Sequence, residues 1–322
     1  MMLKEGVGKR MIILIMIVVS IVALIVYNQY KLRKAERNFP PKGKFITVEG
    51  VKLHYIQKGS GQPIVFLHGG VLTGNDFEQV MEITVQKGYQ AIAFDRPGYG
   101  YSDRPSKSIT PLDQARLIHS ALNKLGIEKP ILVGHSWSGL LVLSYALSYP
   151  NDVLGMVLLG GAMYVEGYPA ANGDPISKVV MTPILGDMIV YPLLRSPLGT
   201  MLTKNMLKET FAPERVPSKY QEATISLWLR PKHFKANRAD VLAFVPTAKE
   251  ISKIYHKIKQ PVIMAVGEND PFGTIEQAKR LKQDIPQAKL IILPDIAHMI
   301  PQNHPQAVVK LIDMISDQVP TK

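Results

Sequence analysis

Short runs of almost purely apolar residues recur through the chain after residue 60, and longer helix-like segments separate them. Continuous apolar runs are typical of parallel strands that helices cover on both faces, because neither face meets water. Alternation of this kind predicts right-handed βαβ connections and a doubly wound sheet. The predicted parallel strands are PIVFLHG (63–69), QAIAFDRP (90–97), PILVGHS (130–136), VLGMVLLGG (153–161), PVIMAVG (261–267) and KLIILPD (289–295).

Two β-rich segments precede these strands, FITV (45–48) and KLHYIQKG (52–59), and Glu49-Gly50 between them predicts an antiparallel turn. The sheet should therefore have eight strands. With 46% hydrophobic residues, the chain has enough apolar side chain to bury it. Helices are predicted between the strands, near 75–87, 111–125, 137–149, 274–284 and 305–318.

One interval, residues 163–248, lacks a strand pattern and contains many apolar pieces broken by Pro and Gly. A structureless loop of this length is uncommon in a compact domain. The sequence therefore predicts a helical cap over 163–248, inserted into a core formed by 45–162 and 249–322.

The N-terminal region has a basic segment (1–10), an apolar run (11–27) and a basic linker (28–44) that contains Pro40-Pro41. As a helix, the apolar run spans about 26 Å, near the lower limit for crossing a bilayer. No small-x-small cleavage site follows, which favours an uncleaved anchor over a cleaved signal peptide. More Lys and Arg follow the run than precede it, which favours a cytoplasmic domain. Large domains translocate despite such charge, so the side of the membrane stays open.

The formal net charge is +12, and residues 1–44 contribute +7 of it. A basic cluster beside an apolar run is typical of contact with lipid head groups, so we expect membrane lipids and no nucleic acid as partners. The chain has no cysteine, which excludes disulfides and thiolate-bound metals. No cluster has metal-ligand spacing, so we expect neither a metal nor a cofactor.

The segment GHSWSG (134–139) stands where a predicted buried strand ends and a helix begins. A serine there lies on a tight turn, above the sheet and at the positive end of the helix. Strand and helix backbones approach closely at such a turn, so its neighbours must be small, as Gly134 and Gly139 are. Ser136 is therefore the candidate nucleophile.

These features resemble the α/β-hydrolase fold family over about residues 45–318, although Ser138 replaces the commonest glycine of Gly-x-Ser-x-Gly. The segment HGG (68–70) resembles the family's oxyanion loop. The resemblance implies that the amides of Gly70 and Trp137 bind the oxyanion. FDRPGYGYSDRP (94–105) also matches a family segment, which we interpret as structural.

The same resemblance implies an acid after a late strand and a base after the last one. Asp270 in GENDPF takes the acid position, and Glu268 is its local rival. His298 in IAHMIPQNHP takes the base position, whereas His304 before Pro305 is typical of a helix cap. The order Ser136, Asp270, His298 is the order of the family's triad.

Serine at the nucleophile position argues against the haloalkane dehalogenases and epoxide hydrolases of this fold, which need aspartate there. The resemblance thus implies a serine hydrolase that cleaves a small carboxylic ester. The apolar cap favours a lipid-derived acyl or alkyl group, as in membrane-bound esterases and monoacylglycerol-lipase-like enzymes. Amide, thioester or C–C bond hydrolysis, acyl transfer and a low-turnover sensing protein remain alternatives, and the sequence leaves the oligomeric state open.

Overall fold

The computed structural model describes residues 2–182, 185–186 and 190–319, and an eight-stranded sheet lies at its centre. The strand order is β1-β2-β4-β3-β5-β6-β7-β8. The pairs β1/β2 and β2/β4 are antiparallel, and the other neighbouring pairs are parallel. The predicted doubly wound sheet is therefore confirmed. Its strands are β1 (Lys44–Val48), β2 (Val51–Lys58), β3 (Pro63–Leu67), β4 (Gln90–Phe94), β5 (Ile131–His135), β6 (Gly155–Leu159), β7 (Val262–Gly267) and β8 (Lys289–Leu293).

Helices connect the strands, and short 3₁₀ turns lie at Gly74–Phe77 and Ser252–Lys257. The α-helices of the described residues are α1 (Met2–Asn38), α2 (Glu78–Gln86), α3 (Pro111–Lys124), α4 (Ser138–Ser148), α5 (Pro175–Met181), α6 (Tyr191–Leu194), α7 (Pro197–Phe211), α8 (Ser218–Leu227), α9 (Pro231–Ile251), α10 (Thr274–Asp284), α11 (Ile300–Asn303) and α12 (Pro305–Ser316).

The central strands are buried on both faces, as their apolar runs predict. In β5 every residue is buried. Leu132 belongs to the apolar cluster on one face, whereas Ile131 and Val133 belong to the cluster on the other face. Because neighbouring side chains of a strand point to opposite faces, a continuous apolar run fills both layers at once.

The described residues between β6 and β7 contain helices α5 to α9 and no strand. Helix α9 packs against α3 and α4, so it joins this helical segment to the rest of the molecule. It continues to Ile251, three residues past the predicted boundary at 248. The parts of the predicted helical segment at 183–184 and 187–189 lie outside the described residues.

Helix α1 extends well beyond the apolar run and corrects the predicted linker, because residues 28–38 are helical. This stretch contains no proline or glycine and is rich in Lys, Arg, Glu and Ala, which favour helix; the helix ends before Pro40. Its C-terminal half packs against α6 and α8. Nη1 of Arg195 donates to the carbonyl oxygen of the buried Asn28 at 2.9 Å.

The apolar part of α1 is exposed along its length. Each large apolar residue from Met11 to Val26 is 38–64% exposed. Arg10–Asn38 is the one stretch among the described residues that is long and apolar enough to cross a membrane. A helix of this kind near the N-terminus suits either a membrane anchor or a signal sequence.

Candidate active site

Ser136 lies on a strained turn between β5 and α4. Its backbone φ is +54°, a region that residues with a side chain seldom adopt. Three backbone hydrogen bonds hold the turn: the Ser136 amide donates to Leu159, and its carbonyl accepts from Gly139 and Ala162, all at 2.9–3.0 Å. The hydroxyl is thereby presented above the carboxyl end of the sheet.

The glycines beside Ser136 are required by close backbone approach. A Cβ on Gly134 would lie 2.6 Å from Val142 Cγ2 and 2.7 Å from the Ser138 carbonyl oxygen. A Cβ on Gly139 would lie 3.0 Å from the carbonyl oxygen of Ala162. The spacing of small residues in GHSWSG therefore follows from the packing of helix on strand.

Ser136, His298 and Asp270 meet in one hydrogen-bonded chain. Nε2 of His298 lies 2.9 Å from Ser136 Oγ, and Nδ1 of His298 lies 2.7 Å from Asp270 Oδ2. With the proton on Nδ1, the ring donates to the carboxylate and accepts from the serine hydroxyl. The structure thus brings the three predicted site residues together in the geometry of a nucleophile, a base and an acid.

Asp270 is held as a carboxylate despite its burial. Burial alone would raise its pKa, but the neighbouring His298 ring and the amide of Phe272, which donates to Oδ1 at 2.9 Å, lower the pKa below its usual value. The rival Glu268 is exposed and accepts instead from the amide of Asp295 at 3.2 Å. Of these two acids, only Asp270 reaches the imidazole.

The predicted oxyanion residues Gly70 and Trp137 line the same cavity as Ser136 and His298. The amide of Trp137 stands at the N-terminus of α4, where amides lack partners within the helix. The Gly69 carbonyl accepts from Nη2 of Arg96 and from Nδ1 of His68, both at 2.9 Å. Since C=O and N–H of a trans peptide point in opposite directions, this turns the Gly70 amide away from Arg96.

Arg96 is a positioning residue that sequence reasoning missed. Its side chain is fully buried, and its Nε also donates to the His68 carbonyl at 3.0 Å. The charge is balanced by Asp240 on cap helix α9, whose Oδ2 lies 2.6 Å from Arg96 Nη1. Asp240 Oδ1 further accepts from Arg104 and Gln114, each at 2.8 Å. Helix α9 thus supplies the counterion of the arginine that binds the Gly69 carbonyl.

The histidines flanking the site are neutral. Burial and, second, the nearby His298 ring lower the pKa of His135 to about 3. The neutral ring donates from Nε2 to the His298 carbonyl at 3.0 Å. Burial, followed by the charge of Arg96, also lowers the pKa of His68 well below its usual value. These rings support the site and do not act as its base.

Three other histidines, His54, His119 and His304, have carboxylate partners that the sequence did not reveal, and His119 Nε2 lies 2.8 Å from Asp152 Oδ2. Nδ1 of His54 lies 2.8 Å from Asp95 Oδ2, in a pair that is almost fully buried. His304 precedes α12, but its side chain does not cap that helix. Its Nε2 instead lies 2.6 Å from Oε1 of Glu214, a residue in the segment that connects α7 and α8.

Glu214 also reaches the loop that carries His298. Its Oε2 accepts from the amide of Ala297 at 2.8 Å, and Oε1 accepts from the side chain of Asn303 at 3.2 Å. Glu214, from the segment between α7 and α8, therefore fixes the backbone directly before His298. No local motif marks Glu214 in the sequence.

A cavity of about 510 Å³ opens above Ser136. Helices α5 to α9 supply much of its wall, and most of the lining side chains are apolar. Among residues 2–182, 185–186 and 190–319, no three His, Asp or Glu side chains converge as metal ligands would. The arrangement suits attack by an activated serine on a carbonyl group in an apolar environment. Apolar lining residues include Val71, Ile176, Leu202, Met206, Phe234 and Met299.

The family model of the alpha/beta hydrolase fold matches residues 62–305. The chain is 27% identical over 262 residues to a 2-hydroxy-6-oxononadienedioate/2-hydroxy-6-oxononatrienedioate hydrolase of Paraburkholderia phymatum, covering 79% of this chain and 87% of that one. It is 25% identical to epoxide hydrolase 3 of Siraitia grosvenorii, covering 82% and 94%. An esterase from Exiguobacterium antarcticum superposes with a TM-score of 0.69 at 23% identity, covering 85% and 99%.

The fold, the strained serine turn and these matches define the class together. The chain belongs to the alpha/beta hydrolase fold family, and its relatives are named as hydrolases.

Proposed function

We propose that this hydrolase cleaves a carboxylic ester with an apolar acyl or alkyl group through an acyl-enzyme on Ser136. The observation that carries the proposal is the hydrogen-bonded chain Ser136–His298–Asp270 at the wall of an apolar cavity. A serine hydroxyl is a weak nucleophile until an imidazole takes its proton, and an ionised acid stabilises the imidazolium that results.

In the proposed reaction, Ser136 Oγ attacks the ester carbonyl while His298 takes its proton. The amides of Gly70 and Trp137 bind the oxyanion of the tetrahedral intermediate. Its collapse breaks the C–O bond, and the alcohol leaves with the proton from His298. Water then attacks the acyl-enzyme with His298 as base, which releases the acid and restores Ser136.

The charges of the cavity favour an uncharged ester. Arg238 is the one Lys or Arg residue on the described wall, and it is already paired: Nη1 lies 3.2 Å from Asp174 and Nε lies 2.9 Å from Asn237 Oδ1. The wall also contains the acid Asp76. A buried second carboxylate on a substrate would find no free cation among these groups.

C–C bond hydrolysis is the second candidate, because relatives at 24–27% identity are named for dienedioate and dienoate substrates. The same serine could attack a ketone carbonyl, with a carbon leaving group in place of an alcohol. The dienedioates carry two carboxylates and the dienoate carries one, so both fit the charge of this cavity less well than an uncharged ester does.

The test is a series of p-nitrophenyl esters from acetate to laurate, with 2-hydroxy-6-oxo-6-phenylhexa-2,4-dienoate assayed beside it. We expect kcat/KM to rise from acetate to octanoate, because each buried CH₂ contributes about 0.8 kcal/mol. Ser136→Ala is the matched control. Faster turnover of the dienoate than of every ester would favour the second candidate, and a preference for acetate would contradict the apolar substrate.

We further propose that residues 163–248 form a cap on a core of 45–162 and 249–322, and that residues 11–27 are an uncleaved anchor. The helical segment between β6 and β7 supports the cap. Helix α1 supports the anchor, because it runs from the apolar run onto the cap, where Arg195 bonds to Asn28. Which side of the membrane the hydrolase occupies is left to protease accessibility in intact cells.

An apolar surface on the cap supports membrane contact as well. Its residues lie on α5, α6 and α7. Helix α1 contacts α6, and α6 packs against α7. The chain has no cysteine, so a single fluorescent label at Met201→Cys, which does not line the cavity, reports this surface. We expect quenching by spin-labelled lipid there. We expect none at Lys129→Cys, which precedes β5 at the amino-terminal end of the parallel strands. The exposed side chains are Ile176, Val179, Leu193, Leu198, Met201 and Leu202.

A further inference from the structure

Several polar side chains on the wall of the catalytic cavity have buried atoms without a hydrogen-bond partner, and Asp76 and Tyr220 are the acid and the phenol among them. Asp76 lies in the 3₁₀ turn that follows the oxyanion loop, and Tyr220 lies on cap helix α8. They are 3% and 6% exposed, and both line the cavity above Ser136. Neither Asp76 Oδ1 nor the Tyr220 hydroxyl has a partner among the described residues.

Some other polar side chains of this wall are satisfied from within the protein, whereas one atom each of His135, Trp228 and Thr274 also lacks a partner. The Thr210 hydroxyl donates to the Met206 carbonyl at 2.8 Å, and Asn237 Nδ2 donates to the Gly70 carbonyl at 2.5 Å. Native proteins seldom leave a buried polar atom unpaired, because its lost hydration is not replaced. An unpaired acid and phenol at one cavity therefore indicate a place where a ligand supplies the missing bonds.

The surroundings of the two groups favour an uncharged ligand. Burial, followed by the charge of Asp95, raises the pKa of Asp76 well above its usual value, against the amide of Thr73, which lowers it. Burial, followed by the nearby Asp76, raises the pKa of Tyr220 as well. These shifts favour the protonated forms of both groups, and a protonated carboxyl and a phenol can each donate and accept a hydrogen bond.

A hydroxyl group matches this pair, because it also donates one hydrogen bond and accepts others. The neighbourhood excludes stronger charges: Tyr220 packs in an apolar cluster with Leu72, Phe211 and Met299. A carboxylate or an ammonium ion would lose its hydration there without a full counter-charge, whereas a hydroxyl loses much less.

We propose that Asp76 and Tyr220 form a subsite that binds a hydroxyl group of the substrate. This inference rests on the proposed function and deepens it: the preferred ester carries a free hydroxyl on its alcohol part or on its acyl part. The subsite would then select substrate by replacing two missing hydrogen bonds, while the apolar wall accepts the chain.

The test measures binding of ligands that the enzyme does not hydrolyse. Both tryptophans of the chain, Trp137 and Trp228, line the cavity, so intrinsic fluorescence reports its occupancy. The full chain in detergent micelles is titrated with 1-O-octylglycerol and with its dimethyl ether. A second pair, 3-hydroxyoctanamide and octanamide, places the hydroxyl on the acyl side.

We expect the wild type to bind the hydroxylated member of at least one pair about tenfold more tightly than its partner. The pair that shows the preference identifies the side of the ester on which the hydroxyl lies. In Tyr220→Phe the preference should fall to about twofold or less. The matched control is Tyr149→Phe, at the end of α4, where the preference should stay as in the wild type.

Equal binding within both pairs in the wild type overturns the subsite, and so does a preference that Tyr220→Phe leaves intact. Asp76→Leu repeats the test on the other partner if Tyr220→Phe does not fold. Failure of the enzyme to hydrolyse any ester would contradict the proposed function alone, because these ligands are bound and not turned over.

Discussion

Two of the aspartate–histidine pairs on this fold are buried and have nearly the same geometry. Asp270 meets His298 at 2.7 Å, and Asp95 meets His54 at 2.8 Å; all four side chains are at most 5% exposed. The pairs differ in what the second ring nitrogen contacts. Nε2 of His298 faces the Ser136 hydroxyl, whereas Nε2 of His54 accepts the amide of Gly43 at 3.0 Å.

The surroundings of Asp95 explain why its pair is structural. Its carboxylate also accepts the amides of Gly74 and Tyr101, both at 2.9 Å, so it connects strand β2 with the turns at Gly74 and Tyr101. The ring nitrogen of His54 that would face a nucleophile is occupied by the Gly43 amide. A buried Asp–His pair therefore occurs at two places in this fold, and its role depends on whether a serine hydroxyl contacts the second ring nitrogen.

The largest effect should separate the two pairs directly. Asp270→Asn should lower kcat by about 10⁴-fold, because the amide neither fixes the His298 tautomer nor stabilises the imidazolium. Asp95→Asn should keep kcat within about threefold, yet lower the free energy of unfolding by about 3 kcal/mol through lost charged hydrogen bonds. Kinetics and denaturant titration of the two variants measure this, and an equal loss of kcat would refute the distinction.

A smaller effect is expected where the cap reaches the oxyanion loop. Asp240→Asn leaves Arg96 with a buried uncompensated charge, which should cost about 3–5 kcal/mol of stability and lower kcat as Gly70 loses its fixed orientation. Asp103→Asn is the matched control. The side chain of Asp103 also pairs with α9, through Lys232 at 2.8 Å, but this pair is exposed. It should cost at most about 0.5 kcal/mol.

Together, the Asp240 and Asp103 variants separate a buried cap contact from a surface one. If both variants unfold at the same denaturant concentration as the wild type, the buried network does not hold the cap.

The neutral ring beside the site predicts a dependence of stability on pH. The folded-state pKa of His135, about 3, lies below its unfolded value of 6.5, so the unfolded state binds its proton first. Stability should therefore be complete above pH 6.5 and fall by about 1.4 kcal/mol per pH unit below it. His135→Gln should make denaturation midpoints less dependent on pH between about pH 7 and 5, and an unchanged dependence would contradict this.

The smallest effect concerns the loop before His298. Glu214→Gln weakens the bond to the Ala297 amide and the pair with His304, so kcat should fall by about threefold while KM stays nearly constant. Glu209→Gln, an exposed change on α7, serves as the control. A change in KM alone would mean that Glu214 shapes the cavity and does not position the histidine.

The sheet and the three site residues could be predicted because their signals are local. Ser136 and Asp270 each follow a buried strand, and the carboxyl ends of parallel strands share one edge of a sheet. The structure brings these residues and His298 together, while their catalytic roles remain proposals. The prediction of a linker over 28–44 was wrong for residues 28–38, which are helical, because Pro40-Pro41 ends the helix only after Asn38.

Long-range charge partners could not be predicted. Asp240 lies 144 residues from Arg96, and Glu214 lies 83 residues from Ala297. His54 lies on β2 and Asp95 directly follows the neighbouring antiparallel strand β4, so the register of these strands makes them meet. Burial converts such distant pairs into specific contacts, and composition or periodicity carries no trace of them.

The most direct measurement of the central claim is intact mass after treatment with an active-site fluorophosphonate. We expect one adduct, mapped to Ser136, in the wild type and in Asp95→Asn, and none in Ser136→Ala. The adduct should form far more slowly in Asp270→Asn. A wild type that acquires no adduct, or an adduct that persists in Ser136→Ala, would contradict a nucleophilic serine at this turn.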